Sequence, residues 1–149
     1  MEADTEKGKD HSIIAAALIF LILAAVFTLV IHLQINLGKF TLPFYLVVSG
    51  MFLFASALET ERSMGEAIAS LGGILTSLGL LLFYQYSTEN WESWAYAWPL
   101  VFPGGMGLGQ LGYGAVKARE EPFERGKVLI TVSTGLFLLS LVVFKLFFR

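Results

Sequence analysis

The chain has 149 residues, a formal net charge of −2, 56% hydrophobic residues and a mean hydropathy of +0.70. Charged residues make up 15%, against about 25% in soluble domains, which leaves too little polar surface to cover a water-facing globule. The balance supplies no basic surface for nucleic acid, and the absence of cysteine excludes disulfides, thiolate catalysis and Cys-ligated metals.

The positions of the charges predict the elements. The residues MEADTEKGKD form a polar tail, expected to be disordered and cytoplasmic over residues 1–11. Asp10 to Lys39 then encloses 28 uncharged residues, Lys39 to Glu59 encloses 19, and Glu66 to Glu89 encloses 22. Glu92 to Lys117 encloses 24 and Lys127 to Lys145 encloses 17. A membrane-spanning helix needs about 17–25 residues, so each gap holds one. The expected fold is all-α: an integral membrane bundle of five transmembrane helices over 12–149. The spans are 12–33, 41–58, 65–86, 93–116 and 128–147. The apolar run Ile13–Ile31 is longer than a signal-peptide core of about 7–15 residues, so the first span is expected to stay.

The first span carries His11 and His32 near its opposite ends. They lie about 31 Å apart at 1.5 Å per residue, too far to share a metal. Both read as interfacial residues.

The third span shows small residues at Gly65, Ala69, Gly72, Thr76 and Gly79, spaced i, i+4, i+7, i+11 and i+14. Such a heptad row favours a left-handed helix crossing near about +20°. Gly72 sits mid-row. Gly73 lies 100° around the helix, so leucine is expected to be better tolerated there than at Gly72.

The fourth span contains Pro99, Pro103 and six glycines within Gly104–Gly114. Gly107, Gly109 and Gly112 spell G-x-G-x-x-G, a dinucleotide fingerprint. The fingerprint works after a buried strand and before a helix, with an acid about 20 residues on. Here WAYAWPLVFP precedes it and Lys127 stands where the acid belongs, so no nucleotide site is expected. Gly105, Gly109 and Gly112 share one face, with Gly107 and Gly114 opposite. The third and fourth spans run antiparallel, and their small faces are expected to meet. Gln110 is expected to hydrogen-bond a neighbouring helix.

Six aromatics stand around the loop joining these spans: Tyr84, Tyr86, Trp91, Trp94, Tyr96 and Trp98. They read as an aromatic belt at the outer interface. The sharper alternative is an aromatic crevice for a lipid headgroup, a cation or a partner helix, with Glu89 and Glu92 beside it.

Five full spans place seven Lys/Arg on one side and three on the other, which sets the N-terminus inside and the C-terminus outside. A re-entrant fourth span gives five against five, so the full crossing is preferred. The loop KAREEPFERGK reads as a solvated cytoplasmic loop. No H-E-x-x-H, Ser-His-Asp set or mid-span ionisable residue occurs, so no catalysis, cofactor, metal or proton pathway is expected.

The segments PFYLVVSGMFL (Pro43–Leu53) and WPLVFPGGMGL (Trp98–Leu108) align Gly50-Met51 with Gly105-Met106, a weak sign of duplicated hairpins. GGILTSLGLLLFYQ (Gly72–Gln85) and WPLVFPGGMGLG (Trp98–Gly109) resemble the membrane region of bacterial LiaI/LiaF-type envelope proteins. The resemblance implies a bacterial cytoplasmic membrane and envelope-stress signalling through protein contacts. It brings no catalytic residues. The expected partners are membrane lipid and a second copy or another membrane protein, with no nucleic acid or nucleotide. The rival reading is a lipid or small-cation binding or transport protein.

Overall fold

The computed structural model describes residues 14, 17–26, 28–29 and 37–148. The polar tail, His11 and His32 lie outside the described residues. The chain divides into two units, Met1–Gly38 and Lys39–Arg149. Within the first, α1 covers Ala17–Val26. The second is built of α2 (Leu37–Glu59), which begins at the boundary, then α3 (Arg62–Thr88), a 3-10 turn (Trp91–Ser93), α4 (Trp94–Val101), α5 (Gly104–Lys117) and α6 (Glu120–Phe147). No strand occurs among the described residues, and the fold is all-α.

Among the described residues three helices are long and apolar enough to cross a membrane: Gly38–Glu59 within α2, α3 and α6. Their mean hydropathies of 1.8, 1.9 and 2.1 and their terminal charges mark a membrane-embedded chain.

The expected fourth span is corrected. It is not one helix over 93–116 but two, α4 and α5, broken at Phe102 and Pro103. The cause is local. A residue before proline is pushed out of the helical region, and Phe102 sits at φ −140°, ψ 109°. Pro103 also lacks the N–H that would have closed a turn onto the Pro99 carbonyl. Helix restarts at Gly104, with Gly107 N–H donating to the Pro103 carbonyl at 2.9 Å.

The other ends follow similar rules. Glu89 and Ala118 take left-handed conformations (φ 55° and 52°) and stop α3 and α5. Arg119 N–H closes back onto the Gly114 carbonyl at 2.9 Å. Glu120 and Glu121 occupy the first turn of α6, where carboxylates suit the helix dipole, and Pro122 follows where no N–H is needed.

Contacts fix the order of passes in the second unit. Pro43 and Val47 of α2 meet Gly79, whereas Ala57 meets Gly65, so α2 and α3 are antiparallel. Gly105 and Gly109 meet Gly73 and Ala69, and Tyr113 meets Gly65, so α5 is antiparallel to α3 as well. Gly114 meets Phe123, Gly107 meets Leu129 and Ile130, and Gly104 meets Ser133, so α6 returns alongside α5. The α4–α5 segment thus runs the full distance between the ends of α3. One end of the unit carries the 3-10 turn and the tryptophans. The other carries Arg62, Glu66, Glu121 and Arg125.

Candidate functional site

The small-residue rows do meet neighbours, but not as one seam. Gly72, Thr76 and Gly79 face α2, not the fourth span. A Cβ on Gly72 would stand 2.7 Å from the Gly50 carbonyl oxygen and 2.9 Å from Phe54 N. One on Gly79 would stand 2.8 Å from the Pro43 carbonyl oxygen. Contact with α5 instead passes through Gly73 and Ala69. A Cβ on Gly73 would overlap the Gly105 carbonyl oxygen and lie 2.7 Å from Gly109 N, and one on Gly109 would overlap the Ala69 carbonyl. Gly73 is therefore as closely packed as Gly72, against the expectation of tolerance. Gly65 serves both neighbours, meeting the Ala57 carbonyl and the Tyr113 hydroxyl. Gly112 faces only the Phe54 ring of α2, and Gly107 and Gly114 face α6. Backbones this close set Cα–H groups against carbonyl oxygens, and small residues are what permit it in lipid. The fingerprint glycines Gly107, Gly109 and Gly112 are thereby all spent on helix contacts.

Gly50 and Gly105, aligned by sequence, both lie on α3, at Gly72 and Gly73 respectively.

Beside the break lies a cavity of about 500 Å³. Ser77, Leu80, Leu81 and Tyr84 of α3 form one wall, and Ile130, Ser133, Thr134 and Phe137 of α6 the other. The 3-10 turn and α4 contribute Ser93, Tyr96, Ala97 and Leu100, and α5 contributes Gly104 and Leu108. Leu80 and Leu108 are 58% and 54% exposed, so the cavity opens on the side of the bundle. Ser77, Tyr84 and Tyr96 bring hydroxyls to the lining, and the other three lining hydroxyls are tied to backbone carbonyls. The Pro99 carbonyl, orphaned by Pro103, accepts a 2.6 Å hydrogen bond from Ser133 Oγ. Thr134 Oγ1 donates to the Ile130 carbonyl at 2.9 Å, and Ser93 Oγ to the Asn90 carbonyl at 2.7 Å.

The six loop aromatics do not converge on one crevice. Tyr84 and Tyr96 line the cavity. Tyr86 and Trp91 pack edge to face at 4.9 Å, in a separate pocket of about 330 Å³ with Lys39 and Glu89. Trp94 and Trp98 are exposed. Glu89 is already paired with Lys39 at 3.3 Å, which weakens it as a cation ligand.

Two buried amides bridge elements, and the sequence pointed to one. Gln110 Nε2 donates to Ser70 Oγ of α3 at 3.2 Å. Gln85, fully buried, donates through Nε2 to Ser93 Oγ at 3.0 Å and ties α3 to the 3-10 turn. Its polar run YQYSTEN gave no signal beyond a helix end. At the opposite end, four charges alternate between α3 and α6. Arg62 reaches Glu121 at 2.8 Å, and Arg125 reaches Glu66 at 3.1 Å and Glu121 at 3.2 Å. Among the described residues no group of His, Asp or Glu could hold a metal. No family model, curated protein or solved structure matches the chain.

Proposed function

We propose that this chain is a multi-pass protein of the bacterial cytoplasmic membrane that works by helix packing, in a structural or regulatory role and without catalysis. It crosses five times, through α1, α2, α3, the interrupted α4–α5 and α6. The N-terminus is cytoplasmic and the C-terminus outside, because the end bearing Arg62, Lys117, Arg119, Arg125 and Lys127 suits the cytoplasmic face. The resemblance to LiaI/LiaF-type membrane regions extends this to envelope-stress signalling through protein contacts.

The observation that carries the packing reading is on α6. Val128, Val132, Gly135, Leu139, Val142 and Leu146 recur at i, i+4, i+7, i+11, i+14 and i+18, and all are exposed. Gly135, at the centre of this row, has nothing near its Cβ position among the described residues, whereas the other described glycines from Gly50 onward are packed. A mid-helix glycine costs about 0.5–1 kcal/mol relative to alanine, and here no contact among the described residues offsets it. A second copy of α6 laid along the row brings a backbone to Gly135, and a heptad row is self-complementary.

Cysteine cross-linking tests this on a chain that has no cysteine of its own. Gly135→Cys should form a disulfide-linked dimer in membranes, and Thr134→Cys, 100° around α6, should not. Absence of the dimer, or equal dimer from both, would remove the α6 pairing. Topology is read the same way. Ser87→Cys should react with an impermeant thiol reagent from outside the cell and Ala118→Cys should not. Labelling of both from outside would overturn the five crossings.

A further inference from the structure

We infer that the cavity beside the helix break holds one acyl chain of a membrane phospholipid. The inference rests on membrane embedding and not on pairing through α6. The space, about 500 Å³, falls within the range of about 300–1,000 Å³ usual for small-ligand sites. That volume suits a single hydrocarbon chain better than a helix, which is about 10 Å across with its side chains.

The lining selects against polar occupants. Ser133, Thr134 and Ser93 each spend their hydroxyl proton on a backbone carbonyl. The remaining wall is largely aliphatic and aromatic, from Leu81, Leu100, Ile130 and Phe137. Of the other lining residues only Ser77, Tyr84 and Tyr96 carry a hydroxyl, so the surface offered to an occupant is mostly apolar.

The opening selects the source. Leu80 and Leu108, exposed at the rim, lie within long apolar stretches far from any charge. The medium at that depth is lipid hydrocarbon, present at the highest concentration of any candidate occupant. From Ile130 and Leu108 the cavity runs toward Tyr84, Ser93 and Tyr96, at the tryptophan end. The chain's tail therefore lies at the break, and its headgroup stays among Trp94, Trp98 and the 3-10 turn, where aromatic residues favour the interface.

The experiment measures phospholipid retained by the full chain after extensive washing in lipid-free detergent. Bound phospholipid is read as adduct mass by native mass spectrometry and as phosphorus per chain. The wild type should keep one phospholipid. Leu80→Trp and Leu108→Trp fill the cavity from different helices at exposed positions. Each should lower retention by about tenfold, equivalent to about 1.4 kcal/mol. Leu42→Trp, at an exposed position of α2, which contributes nothing to the cavity lining, should retain lipid as the wild type does. Melting midpoints establish that each variant is folded. A folded wild type that keeps no phospholipid would overturn the inference. So would cavity-filled variants that retain as much as the wild type, or an equal loss in Leu42→Trp.

Discussion

Helices α3 and α6 are nearly the same length, 27 and 28 residues, and nearly equally apolar. Yet 33% of the apolar window of α3 is buried and only 6% of that of α6. Hydropathy does not separate them, but the placement of glycine does. The glycines of α3, Gly65, Gly72, Gly73 and Gly79, face both α2 and α5. The second unit is therefore organised around α3 as its central helix. On α6 only Gly126 is packed, close to the Gly107 carbonyl and to Leu111, and Gly135 is open. In lipid, where burial of apolar area does not drive association, backbone approach decides which helix is central.

The largest effect should come from closing that approach at Gly73. Its Cβ would overlap the Gly105 carbonyl oxygen before any longer side chain is added, and both neighbours are backbone that cannot rotate away. Gly73→Leu should cost more than about 3 kcal/mol, above the usual overpacking range. Gly112→Ala is the contrast, since it meets only the Phe54 ring, at 3.0 Å, and a ring can yield. Thermal unfolding in detergent should put Gly73→Leu far below Gly112→Ala. A Gly73→Leu protein melting with the wild type would mean that α3 is not the central helix.

This pair also marks what could be read in the sequence. The gaps between charges located the long apolar helices, because a charge at mid-membrane is too costly to appear there by chance. The small-residue row at Gly65, Ala69, Gly72, Thr76 and Gly79 was visible from its spacing. Its partner was not, because a helix with small residues on adjoining faces can serve two neighbours, and one sequence does not say which face meets which. Gly73 was hidden for that reason. Pro103 was visible, but whether it kinks or breaks a helix depends on what satisfies the Pro99 carbonyl. Ser133 does so from 34 residues away, a pairing no local pattern predicts. The cavity beside the break is lined from α3, α4, α5 and α6, a convergence that was equally out of reach. The six aromatics clustered in sequence because a short loop joins two helix ends. Helix rotation then sends Tyr84 and Tyr86 into different pockets.

A smaller effect should separate the way α6 is attached from the way α3 is. Ser133 is 2% exposed and supplies the proton that Pro103 cannot. Ser133→Ala leaves a buried carbonyl without a partner, which costs about 1–3 kcal/mol. In a Pro103→Ala background the restored N–H can reach the Pro99 carbonyl, so the same substitution should cost less. A double-mutant cycle on melting free energies reads that coupling. Equal costs in both backgrounds would detach Ser133 from the break and leave α6 held by packing alone.

The smallest effect should come from the charges that join the two helices directly. Arg62 and Glu66 of α3 face Glu121 and Arg125 of α6, with Arg62–Glu66 closing the ring at 3.8 Å. Three of the four side chains are 44–63% exposed, and only Glu66, at 15%, is well shielded. Exposed pairs contribute about 0.2–1 kcal/mol each and are screened by salt. Glu66→Gln neutralises the shielded one of the two carboxylates that both arginines share and should cost about 1 kcal/mol at low ionic strength. Glu121→Gln should cost less, because its bonds are already solvated. Raising salt to about 1 M, where the Debye length is about 3 Å, should shrink the Glu121→Gln difference more than the Glu66→Gln difference. Melting midpoints at two salt concentrations give both numbers. If neither substitution shifts the midpoint at low salt, the ring is an incidental contact of two helix ends. The attachment of α6 would then rest on Ser133 and on its packing against α4 and α5, where Tyr96 meets Phe137 and Phe144, and Gly107 and Gly114 meet Gly126 and Phe123.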